Sequence, residues 1–191
     1  PKRGWLPTRY ETFQKNCMEF LQDWEKAREM VEVFRDLKRS SEFQRLPLNF
    51  QSIIKMFAYL GLVESLGVKS MDLALLILIA NEKELHTRKP YSKHVETLKE
   101  LKDIWNLGYK LEFLKSSKIS IFKNKIVKKE VRDKVAHLNF RVQNGEIRGK
   151  KGELIDIDQH ISDFWYGIDT LEIVLKDIGF WKWLEERRDQ V

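Results

Sequence analysis

Apolar residues recur at steps of three and four through most of this chain, and little in it can interrupt a helix. Its 191 residues include nine glycines and four prolines, against 34% charged side chains. A 3.6-residue period with so few breakers favours long amphipathic helices. Thr8-Arg9-Tyr10-Glu11 reads as a capping box that opens a helix to about Arg39, with Trp24, Met30, Val31 and Phe34 among its apolar positions. Ser40-Ser41 and Pro47 make a break. A second helix is expected from near Asn49 to Gly67, carrying Phe50, Ile53, Ile54, Phe57, Leu60 and Val63. Ser70 then caps a very apolar third helix to about Leu85, which Lys89-Pro90 ends. Ser92 caps a fourth, from about Lys93 to Leu114, with a kink at Asn106-Leu107-Gly108.

The period changes after Asn139. Phe140 to Arg148 alternates around Asn144-Gly145, a strong hairpin signal, and Leu154 to Ile157 can add a short strand. Asp156 or Asp158 caps a last helix to about Arg188, striped by Ile161, Phe164, Ile168, Leu171 and Leu175. The expected architecture is all-α: an antiparallel helical bundle with a small β-hairpin inserted before the last long helix.

With 42% hydrophobic and 12% aromatic residues, six of them Trp, the chain can bury a core as one domain over 1–191. The single cysteine, Cys17, leaves no internal disulfide and no cysteine-based zinc site, which fits a cytoplasmic protein. The most apolar run, Leu73 to Ala80, is far shorter than the ~20 residues a bilayer needs, so no membrane span is expected. No signal peptide is visible at the polar, basic N-terminus. A net charge of +6 gives a modest preference for polyanions. Glycine-rich phosphate loops, nucleophile elbows, HExxH helices and Cys/His clusters are all missing, so no cofactor and no metal ligand is nominated.

One stretch stands out for chemistry: Arg132-Asp133-Lys134-Val135-Ala136-His137. It sets a fixed cation, a carboxylate and an imidazole within six residues. On a helix Asp133 and His137 share a face, so the carboxylate can orient the ring. Val127, Val131, Val135 and Leu138 form the opposite apolar stripe. Just upstream, Lys115, Lys118, Lys123, Lys125, Lys128 and Lys129 crowd one short segment, with Asn124 as a candidate cap. The same residues fit a plainer reading, in which Arg132 pairs with an acid on a neighbouring helix, His137 sits at a helix C-terminus and the lysines are a solvated face. His86, His94 and His160 read as solvated or structural. Trp165, Tyr166, Trp181 and Trp183 read as core, with a dimer surface as the alternative.

The hexapeptide resembles the motif of HEPN domains, helical bundles of RNA-processing and defence proteins. In them an Arg and a polar residue precede, by a short variable stretch, an Ala-His pair. The resemblance covers about residues 49–175, including the stretch around Asn144-Gly145 and the final helix, and leaves residues 1–40 as an extension. It implies a metal-independent endoribonuclease, with no cofactor, working as a homodimer in a toxin or defence role. In that role Arg132 and His137 are catalytic, with Asp133 orienting the histidine, and Lys125, Lys128, Lys129 and Arg141 contact RNA. The residue after the arginine is most often Asn in such domains and is Asp133 here. Antitoxin or complex partners are common in the family, but Asn139 stands where relatives paired with a nucleotidyltransferase antitoxin carry Tyr. The alternative is a non-catalytic HEPN-like module that binds nucleic acid or protein.

Overall fold

A computed structural model describes residues 10–81, 106–116, 118–177, 179–182 and 186. The capping box at Thr8, the start of the fourth helix, His86, His94, Trp183 and Leu184 lie outside them. The described chain is mostly helical, with one two-stranded antiparallel sheet. Helix α1 is Tyr10–Arg39. It buries Trp24 and Val31, whereas Met30 is exposed. A short helix not foreseen, α2 (Ser41–Arg45), follows; Ser40 caps it by accepting from Phe43 N at 3.1 Å and so turns Phe43 into the interior.

Two expected helices prove continuous. Helix α3 (Leu48–Leu62) runs through a π-helical turn, Val63–Gly67, into α4 (Val68–Asn81). Gly67 does not stop the helix and Ser70 does not start one. The Ser70 hydroxyl instead donates back to the Leu66 carbonyl at 2.5 Å, and Ser65 does the same to Gly61 at 2.6 Å. The structure chooses which side of this apolar helix is buried. Ser52, Met56, Tyr59 and Leu62 are buried, while Phe50 and Phe57 are 60% and 50% exposed.

Helix α5 (Leu107–Ser116) begins where the side chain of Asn106 accepts from Tyr109 N, so the expected kink is a capped start. A buried ion pair, Lys110 to Asp72 at 2.8 Å, ties it to α4. After a second π-helical turn, Phe122–Ile126, comes the motif helix α6 (Lys129–Ala136). Strands β1 (Phe140–Gln143) and β2 (Glu146–Gly149) pair in the register Phe140–Gly149 to Gln143–Glu146. Asn144 and Gly145, at φ 52° and 80°, make the expected turn. Leu154 adds a single bridge to Arg148 rather than a strand.

Asp156 caps α7 (Ile157–Asp177) by accepting from Gln159 N at 2.9 Å. The expected stripe of α7 is buried, from Ile161 through Phe164, Ile168, Leu171 and Leu175. This helix ends earlier than expected, at Asp177, and Gly179 follows with φ 73°. Phe180 is buried and Trp181 packs on Trp24 at 5.9 Å. Trp165 stands edge-on to Phe164 at 5.4 Å, so of the described members of the aromatic group only Tyr166 is exposed. No helix among the described residues is long and apolar enough to cross a membrane.

Candidate functional site

Helix α6 is short and anchored from one side. Val127 and Val135 are fully buried and Val131 is half-buried. The helix starts from Lys128, whose carbonyl accepts from Val131 N and Arg132 N at 3.0 Å each. No side chain caps it; Asn124 lies in the preceding π-helical turn. It stops by a Schellman pattern, Leu138 N to Val135 O at 3.1 Å and Asn139 N to Lys134 O at 2.7 Å. Leu138 occupies the left-handed position, φ 51°, normally given to glycine, at a cost of about 1–2 kcal/mol. That turn removes Leu138 from the apolar stripe and leaves it 64% exposed.

Asp133 and His137 are joined through the backbone and not through their side chains. His137 is the last residue before the turn, at φ −100°, ψ 12°. Its backbone N donates to the Asp133 carbonyl at 3.0 Å, but the two side chains do not bond. The Asp133 carboxylate instead accepts from Lys129 and, at 3.0 Å, from Arg132. Burial works to raise this carboxyl, but those two bonds outweigh it and hold it below the usual carboxylate range. The expected role of Asp133 in orienting the imidazole thus has no geometric counterpart. His137 is exposed, and its ring has no ion-pair or hydrogen-bond partner among the described residues.

Arg132 is partly buried and doubly held. Its Nε donates to Glu64, in the π-helical turn 68 residues earlier, and its Nη1 donates to Asp133 at 3.0 Å. The Glu64 bond, the largest cause, raises the guanidinium above its ordinary value; burial opposes it, and the Asp133 bond adds to the rise. The pairing with a neighbouring element's acid is the plainer reading given above, and it is present.

The lysine segment is likewise largely spoken for. Lys123 pairs with Glu112, Lys125 and Lys128 both pair with Asp163, and Lys129 pairs with Asp133. Of the expected RNA-contact residues, Arg141 alone is exposed with no ion pair among the described residues. Asp163, on α7, is the centre of a second cluster. The lysine bonds, Lys125 first, hold its carboxyl far below the usual range despite burial. Lys128 also lies 3.3 Å from Nδ1 of His160; an ammonium donates, so Nδ1 accepts and the ring hydrogen sits on Nε2. Burial, then the Lys128 charge, lowers His160 below its ordinary value. The ring of Tyr59 lies 6.0 Å away, with its hydroxyl buried and unpartnered. This cluster fixes the chain just before α6, so it holds the motif helix in place from its N-terminal side.

Glu64 and Asp163 are the functional neighbours that reading the sequence missed. Asp163 is one acid among many on a charged helix. Glu64 did carry a signal: it is the sole acidic residue between Leu46 and Met71. A groove of about 380 Å³ between the start of α3, the hairpin turn and residues 154–158 includes Lys55 and Asp158, but these already pair at 2.7 Å. Among the described residues no group of three or more His, Cys, Asp or Glu is placed to hold a metal ion. Comparison with protein-family models, with curated proteins and with solved structures finds no match for this chain.

Proposed function

We propose that this protein is a metal-independent endoribonuclease of HEPN type, working in the cytoplasm as a homodimer with a toxin or defence role. The observation that carries this reading is the exposed, unpartnered imidazole of His137 at the end of a short helix whose other turn bears Arg132. His137 takes the proton from an RNA 2′-hydroxyl. The 2′-oxygen attacks the adjacent phosphorus, the bond to the 5′-oxygen breaks, and that oxygen takes a proton from water, matched by the one the His137 imidazolium returns to solvent. The products are a 2′,3′-cyclic phosphate and a 5′-hydroxyl. Arg132 offsets the charge that grows on the non-bridging oxygens. Arg141 and the lysines, as their ion pairs exchange, hold the backbone without reading sequence.

Purified protein should cut single-stranded RNA in the presence of EDTA, and His137→Ala should lower the rate at least about 100-fold, the scale of general acid–base catalysis. Equal cutting by wild type and variant would sink the assignment. The paired state of Arg132 and of the lysines favours one second reading, a non-catalytic module for nucleic acid or protein. RNA binding that survives His137→Ala, with no cleavage by either protein, would select it.

A further inference from the structure

The motif surface contains its own counter-ions. Lys129 and Arg132 face Asp133 and Glu64, so two cations meet two anions and the cluster is neutral. A phosphate is captured best by arginine through two parallel N–H bonds. Here Nε is given to Glu64 and Nη1 to Asp133, which leaves only Nη2 without an acceptor. The two carboxylates are not equivalent. Asp133 is the next residue in the chain and is also held by Lys129, so it stays with the helix. Glu64 arrives from another element, is 42% exposed, and sits in a π-helical turn, the kind of local irregularity that recurs at functional sites.

We propose that Glu64 is a resident anion on Arg132 that a backbone phosphate of RNA must displace, so that this contact gates the motif. The proposal rests on the ribonuclease reading for its substrate. Its core, competition between Glu64 and phosphate for Arg132, is tested by binding alone. With Glu64 displaced, Arg132 offers the Nε–Nη2 edge to the phosphate and the cluster gains one positive charge. Until then the site holds no net charge to draw a polyanion in.

The probe is a single-stranded 2′-O-methyl oligoribonucleotide, which lacks the attacking hydroxyl, titrated into the full chain by fluorescence anisotropy over a range of salt. Glu64→Gln should tighten binding about three- to tenfold, and its log–log salt slope should steepen by ~0.7. Glu32→Gln, which frees Arg35 on α1, makes the same change in net charge away from the motif and should not match it. Glu64→Asp keeps the charge but draws the carboxylate back, and should show part of the gain. In Glu64→Gln/Arg132→Ala the gain should vanish. Equal effects of Glu64→Gln and Glu32→Gln would overturn the gate. So would weaker binding by Glu64→Gln, which would make Glu64 a positioning residue, or no binding by any variant at low salt. A gain in binding with no cleavage of RNA by any variant leaves the gate standing and removes the ribonuclease reading. Cleavage that depends on His137 without any gain from Glu64→Gln does the reverse.

Discussion

Gly167→Ala tests how the motif helix is held. Gly167 lies on the buried face of α7, where that helix meets the π-helical turn Phe122–Ile126. A Cβ there would stand 2.4 Å from Cγ1 of Ile126, 3.2 Å from its Cδ1 and 3.3 Å from Cβ of Lys125. Ile126 is 0% exposed, so its side chain has no solvent to swing into. Alanine would gain about 1 kcal/mol over glycine in a helix interior. Forcing a methyl into a filled space costs about 1–3 kcal/mol, and a 2.4 Å approach to a buried methylene belongs at the upper end. The net loss is about 1–2 kcal/mol, or roughly 2–8 °C in melting temperature for a chain of this size. The displaced turn leads through Val127 and Lys128 into α6, so cleavage should fall along with stability. Thermal and urea melts give the loss, and a double-mutant cycle gives its cause. Ile126→Ala removes both carbons the new methyl would strike and costs about 2–5 kcal/mol alone. Combined with Gly167→Ala it should be milder than the sum by 1 kcal/mol or more, on the order of couplings between touching residues. A stabilised Gly167→Ala, or additive variants, would refute this packing.

Two further perturbations probe the same helix. Asp163→Asn removes the shared acceptor of Lys125 and Lys128. Both lysines keep some access to solvent, so about 1.5–3 kcal/mol should be lost at neutral pH, below the cost of breaking a fully buried pair. The Asp163 carboxyl is held below its unfolded value, so its stabilisation is complete above about pH 4 and drains away as acid protonates the folded form. Urea melts from pH 6 down to pH 2 should therefore fall more steeply for wild type than for Asp163→Asn, and parallel curves would contradict the cluster. Leu138→Gly should stabilise the protein by about 0.5–1 kcal/mol, since glycine accepts the left-handed stop freely and the lost side chain is 64% exposed. A destabilised variant would mean that the Leu138 side chain contributes more than its backbone strain costs.

Features that depend on local chemistry were legible in the sequence. Asn144-Gly145 fixes both the hairpin and its register, because few dipeptides accept positive φ at two successive positions. Asp156 caps α7 as expected, and the α7 stripe from Ile161 to Leu175 is buried, its residues recurring at steps of three and four. The buried face of α3 is not legible, for the converse reason. Phe50, Ile53, Ile54, Met56, Phe57, Tyr59, Leu60 and Leu62 leave hardly a polar side, so periodicity cannot choose the buried face. Packing against α7 chooses Met56 and Tyr59 and leaves Phe50 and Phe57 outside. Gly67 and Ser70 looked like a stop and a start. Gly67 instead sits tightly against Ile126 and Phe164, and the chain continues as a helix past both residues.

The hexapeptide shows the same division between local and distant. Spacing found the arginine, the histidine and the apolar anchors, all of which lie where a short helix puts them. Charge state escaped it, because the charge of a site is a sum over residues that the fold collects. Spacing puts Asp133 and His137 on one face of a helix, but the carboxylate is taken by Arg132 and Lys129, which spacing alone does not rank against the imidazole. Glu64 joins from 68 residues away, and Asp163 takes two lysines of a run that looked like a free basic patch. A count of cations therefore overstates what this surface offers to a phosphate. The decisive quantity is the free energy for exchanging each internal carboxylate for an external phosphate. At Arg132 a single partly exposed glutamate from another element makes that exchange cheaper than at Lys128, whose acid is buried. If RNA binds this face, Arg132 should open first, and the lysines around Asp163 should exchange their partner only after it.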